Sequence, residues 1–92
     1  MRHLLLTSKY KQDYRLACRR GYDLSKLDAV IDDLVAGKVP AAGMNDHALR
    51  GNYKGHRECH IEPDWLLIYR ISHDDLILTA VRTGTHSDLF YG

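Results

Sequence analysis

Two prolines, two cysteines, one tryptophan and one phenylalanine are all that this 92-residue sequence holds of those types, and it has no long apolar run. The longest uncharged apolar stretches, Leu4–Leu6 and Trp65–Tyr69, fall far short of the ~18 residues a membrane span needs, so no span is expected. Met1-Arg2-His3 and the leucines after it are too brief for a secretory leader, and Lys9 and Lys11 follow at once. A cytoplasmic protein is therefore expected. Cys18 and Cys59 are the only thiols; with nothing to indicate an oxidising compartment, both are read as reduced. The glycines at 51, 55 and 84 fit no P-loop or dinucleotide fingerprint, which removes the common nucleotide-binding motifs.

What is present describes a globular chain. Hydrophobic residues make up 45% and charged residues 27%, a balance far from that of disordered chains. A chain of this length should bury a little over ~60% of its unfolded surface, enough for one sheet-and-helix core. One domain over residues 1–92 is expected.

Arg2 to Leu6 reads as a short opening strand, with Thr7-Ser8 as a helix N-cap. Tyr10, Tyr14, Ala17 and Cys18 share one face of the helix that follows, and Gly21 closes it. A second helix starts at Asp23 or Ser25 and carries Leu24, Leu27, Val30, Ile31, Leu34 and Val35 at helical spacing until Gly37 and Pro40. The short link forces an antiparallel helical hairpin. From there the period changes: 39–45 reads as a loop, and strands are expected over Gly55–Glu62, Trp65–Ser72 and Leu76–Thr83, joined by hairpin turns. Helices first and strands after imply an α+β fold, with an N-terminal strand and a two-helix hairpin on one face of a small antiparallel sheet.

The formal charge of +1 conceals segregation. Residues 1–22 hold six Lys/Arg and one Asp, residues 23–46 hold two Lys and five Asp, and residues 47–62 add Arg50, Lys54 and Arg57 with three His. Local positive surface suits a polyanion whatever the sum, although the first helix could equally be a solvated cationic face.

Histidine is the notable abundance. Five of six, at 47, 56, 60, 73 and 86, lie in the second half, and imidazole suits proton transfer near neutral pH. A metal site is not expected: on a strand, His56 and His60 stand roughly 13 Å apart and Cys59 points to the opposite face from His60. Neither cysteine sits in a nucleophile signature. Acid/base chemistry on a phosphate remains. RNA supplies its own 2′-OH nucleophile, so a base, an acid and a cation suffice. Phe90, near the chain end, could hold a base by stacking or could pin the tail against the sheet.

Asp46-His47-Ala48-Leu49-Arg50-Gly51, Lys54-Gly55-His56-Arg57-Glu58-Cys59-His60-Ile61-Glu62-Pro63-Asp64-Trp65 and Arg82-Thr83-Gly84-Thr85-His86-Ser87-Asp88-Leu89-Phe90 resemble the YafQ-type toxins of the RelE/ParE superfamily. The similarity runs over nearly the whole chain. It implies a RelE-like fold, the toxin of a type II toxin–antitoxin system, and a metal-independent endoribonuclease that cleaves mRNA in the ribosomal A site without a cofactor. Its implied partners are a cognate antitoxin, the ribosome and mRNA.

Carried over residue by residue, the resemblance makes His47, His60, Asp64 and His86 catalytic. It makes Arg82 a phosphate contact and Phe90 the base-stacking aromatic. Arg50, Lys54 and Arg57 are the expected RNA-binding cations beside them, while His56 and His73 match no catalytic position. His86 is expected as general acid, His60 or Asp64 on the base side, and His47 and Arg82 as charge stabilisers. Tyr91, beyond Phe90, could supplement it. Two other classes share the architecture: a ParE-like inhibitor of DNA gyrase, which lacks this histidine set, and a non-catalytic interaction module.

Overall fold

The computed structural model describes residues 1–91, with Tyr91 as backbone only; the expected contribution of its side chain lies outside the described residues. Strand β1 (His3–Leu6) leads into helices α1 (Ser8–Arg19) and α2 (Leu24–Val35). Strands β2 (His47–Ala48), β3 (Arg57–Glu62), β4 (Trp65–Ser72) and β5 (Ile77–Gly84) follow, and a C-terminal turn spans Ser87–Tyr91.

Both helices begin and end for local reasons. The Thr7 hydroxyl accepts the Tyr10 N–H at 2.9 Å and donates to the Val81 carbonyl at 2.7 Å, so one cap also ties α1 to β5. Asp23 caps α2 by accepting the Ser25 N–H at 3.1 Å. Gly21, at φ 77°, ends α1 in a Schellman motif: its N–H bonds the Cys18 carbonyl and the Tyr22 N–H bonds the Ala17 carbonyl. The expected apolar face of α2 is buried at Leu27, Val30, Ile31 and Leu34. On α1 the face differs from expectation. Tyr10 and Ala17 are buried, but Cys18 is exposed and Asp13 takes a buried place.

The sheet order is β1-β5-β4-β3-β2. Neighbours are antiparallel except β1 and β5, which run parallel from His3↔Ile77 to Leu6↔Ala80. The sheet is therefore mixed, not antiparallel as the sequence suggested. β1 and β5 have no turn in common that would impose a direction, and the helical hairpin and strands β2–β4 between them supply the long connection a parallel pair requires. β2 was also unexpected: it lies between the expected loop at 39–45 and the strand expected from Gly55.

Between helices and sheet lies the main core, including Tyr10, Leu27, Leu34, Trp65, Leu67 and Tyr69. The opposite sheet face carries a smaller core in which Leu66 and Ile68 meet Leu89 of the C-terminal turn, with Leu49, Tyr53 and Val81 around them. This second core fixes the last residues over the sheet. The turn is further held by a capping box: the Asp88 N–H bonds Thr85 Oγ1 at 3.1 Å while the Thr85 N–H bonds Asp88 Oδ2 at 2.9 Å. A Cβ on Gly84 would lie 2.9 Å from that same Oδ2, so only glycine admits the turn this close.

Candidate active site

Strand alternation puts Glu58 and His60 on one face of β3, and the pairing His47↔Glu58 brings β2 alongside. His86 follows β5 and arrives from the other side. The ring centroids of His47 and His60 are 6.3 Å apart, and those of His60 and His86 are 5.7 Å apart, so the imidazoles form an arc.

Asp64, in the β3–β4 turn, anchors one end. Its Oδ1 accepts the His86 backbone N–H at 2.9 Å and the ring Nδ1–H at 2.6 Å. That backbone bond first, and the ring bond second, hold its carboxyl below the usual range. With the Nδ1 proton committed, His86 Nε2 is the nitrogen left for proton exchange.

At the other end, both His47 nitrogens face acceptors. Nδ1 lies 2.9 Å from the Asn45 carbonyl and Nε2 lies 3.0 Å from Glu58 Oε2. The ring is thus held between a backbone carbonyl and a buried carboxyl group. Glu58 is 4% exposed, its Oε2 also lies 3.7 Å from His60 Nε2, and its Oε1 has no hydrogen-bond partner. This buried carboxylate was missed as a site residue, although its place two residues before His60 on an alternating strand was a usable signal.

Asp46 secures the His47 strand. It accepts Arg57 Nε at 2.7 Å and the Tyr69 hydroxyl. Burial first, and then the bond to Asp46, push the Tyr69 hydroxyl well above its ordinary range, which keeps it a donor. Arg57, expected to contact RNA, is instead committed to Asp46.

Arg82 is likewise engaged. Its Nε and Nη2 meet the Asp13 carboxylate at 2.7 and 3.1 Å, and the same carboxylate accepts the Thr83 N–H at 3.2 Å. Because β1 pairs no further than Ala80, Asp13 takes over the role of a neighbouring strand there. The Asp13 hydrogen bond is the main cause that raises the Arg82 pKa, and the Tyr53 hydroxyl adds to it. Arg50 and Lys54 are exposed as expected. Phe90 is 40% exposed and meets the Tyr53 ring edge-to-face at 6.1 Å, so it both pins the turn and presents a face. The structure thus brings together His47, His60, Asp64 and His86, with Phe90 at the margin. Among the described residues, no group of three or more His, Cys, Asp or Glu is arranged to hold a metal ion.

Known proteins share this arrangement of chain. The mRNA interferase toxin YafQ of Escherichia coli strain K12 is 39% identical over 90 residues, which is 97% of this chain and 96% of that protein. The crystal structure of the E. coli DinJ-YafQ toxin–antitoxin complex contains a chain 39% identical to this one, with a TM-score of 0.87 and 97% of each chain covered. A metal-bound toxin from Helicobacter pylori is 37% identical, with a TM-score of 0.89, covering 98% of this chain and all of that one. The model for "Bacterial toxin of type II toxin-antitoxin system, YafQ" matches residues 2–91, and the chain belongs to that family.

Proposed function

We propose that this protein is a ribosome-dependent endoribonuclease that cleaves mRNA in the A site by attack of the 2′-OH on the adjacent phosphodiester. The arc His47–His60–His86, with His86 fixed by Asp64, carries the reading. In the forward step a bond forms between the 2′ oxygen and phosphorus and the bond to the 5′ oxygen breaks, leaving a 2′,3′-cyclic phosphate. The 2′-OH proton goes to the base, and the departing 5′ oxygen takes one from the acid.

His86 suits the acid, since Asp64 holds Nδ1 and orients the ring, leaving Nε2 to donate to the departing oxygen. His60 suits the base better than Asp64, whose Oδ1 already accepts two bonds and whose pKa is lowered. His47, held beside buried Glu58, is the group placed to stabilise charge on the phosphorane. Arg82, its fork filled by Asp13, adds positive potential from a fixed place. Phe90 offers a stacking surface, and exposed Arg50 and Lys54 meet the RNA backbone.

The relative crystallised with DinJ supports a cognate antitoxin as the partner here, and the ribosome places the activity in the cytoplasm. The metal-bound state of the H. pylori relative is that protein's own; no step here passes through a metal. Mapping mRNA 5′ ends after induction in cells tests the reading. Codon-phased cuts that vanish with His86→Ala are expected. DNA damage without such cuts would instead indicate a gyrase poison, and neither effect would leave a non-catalytic module.

A further inference from the structure

The open face of the sheet continues beyond the histidine arc. On β4, Leu66 pairs with His60, and Arg70 lies four residues further along the same face, roughly 13 Å away at strand rise. There a groove of about 330 Å³ is lined by His56, Arg70, Ser72, His73 and Thr79, with Leu5 and Val81 among its apolar members. No carboxylate lines it. Arg70 is exposed and makes no ion pair among the described residues, whereas Arg20, Arg57 and Arg82 are all paired. Asp74 and Asp75 share the turn with His73 but do not line the groove.

Aromatic rings lead from this groove to the C-terminal turn that follows His86. Phe90 meets Tyr53 at 6.1 Å and 87°, and Tyr53 meets His56 at 5.7 Å and 78°. Tyr53 and His56 are half-buried, so each keeps surface available. Ring surfaces for bases beside an unpaired cation for phosphate suit a single-stranded nucleic acid.

We propose that this groove binds the mRNA strand flanking the cleaved step, with Tyr53 and His56 contacting bases and Arg70 and His73 contacting the backbone. The proposal rests on the ribonuclease reading and adds a binding track outside the reacting atoms. It gives roles to His56 and His73, which the catalytic arc leaves unused. A protein segment is the weaker occupant, because no carboxylate lines the groove, Arg70 has no ion-pair partner among the described residues, and the adjoining rings lead toward the turn that follows His86.

The test uses the full chain carrying His86→Ala, so that catalysis does not enter, and a fluorescent single-stranded RNA nonamer with 2′-methoxy groups throughout. Adding Arg70→Ala and His73→Ala should weaken binding at least fivefold. The log affinity against log salt should become shallower by roughly 0.7 per lost phosphate contact. Tyr53→Leu should weaken binding several-fold without altering that slope. Thermal melts confirm that each variant is folded. Unchanged affinity and slope in the Arg70/His73 variant would overturn the proposal, as would a loss confined to antitoxin affinity. Failure of the parent His86→Ala protein to bind the RNA would also overturn it. Codon-phased cleavage by the unmutated protein would still stand in each of these cases, so the two readings fail separately.

Discussion

One oxygen of Asp64, Oδ1, accepts two bonds from His86, the backbone N–H at 2.9 Å and the ring Nδ1–H at 2.6 Å. The turn between β3 and β4 thereby sets both the place and the tautomer of a ring that belongs to the other end of the chain. Asp64→Asn preserves the shape but removes the carboxylate charge that the His86 ring nitrogen faces. It is expected to lower the single-turnover cleavage rate on programmed ribosomes by roughly 10²-fold, within the usual range for acid–base catalysis, with half-saturation little changed. His86→Ala should lose at least as much, and the double variant should lose no more than the larger single loss. Additive losses would separate the two residues.

Glu58 is expected to act through His47. Glu58→Gln retains the size of the buried side chain but removes the carboxyl oxygen that His47 Nε2 faces at 3.0 Å. Cleavage should fall at least tenfold, and the nitrogen NMR signals of the His47 ring should shift. A merely structural role would leave the ring spectrum unmoved.

Asp88 links the C-terminal turn to α1 through Arg20, at 2.6 and 3.1 Å. The Arg20 guanidinium is the main cause that holds the Asp88 carboxyl well below the usual range. A depressed folded pKa stabilises fully above the unfolded value of about 3.9, and that contribution is lost as pH falls through the folded value. Asp88→Ala should therefore cost about 1 kcal/mol in urea melts at neutral pH, cap and partly exposed pair together, and should converge with the parent in strong acid.

The two thiols should separate cleanly. Burial pushes the Cys59 thiol up to about 12, while Cys18 is exposed. One equivalent of iodoacetamide is expected to label Cys18 in the native protein, and Cys59 only after unfolding. Native labelling of both would show that β3 opens.

The elements that were legible in the sequence are those whose signals are local. The face of α2, the cap at Thr7 and the three long strands follow from spacing and turn chemistry between near neighbours. Pairing across long separations left no periodic mark. The parallel direction of β1 against β5 depends on strands at opposite ends of the chain, and the buried place of Asp13 on α1 depends on Arg82, 69 positions away. Within the site, the resemblance supplied His47, His60, Asp64 and His86, and the structure brings them together. It could not reveal that Arg57 is spent on Asp46, because that depends on where β2 docks.

The chemistry of the cut ends tests the central claim most directly. Purified protein, programmed ribosomes and a defined mRNA should yield a 2′,3′-cyclic phosphate upstream and a 5′-hydroxyl downstream, and no measurable cleavage with His86→Ala. A 3′-hydroxyl and a 5′-phosphate, or undiminished cleavage by His86→Ala, would contradict 2′-OH attack driven by the histidine arc.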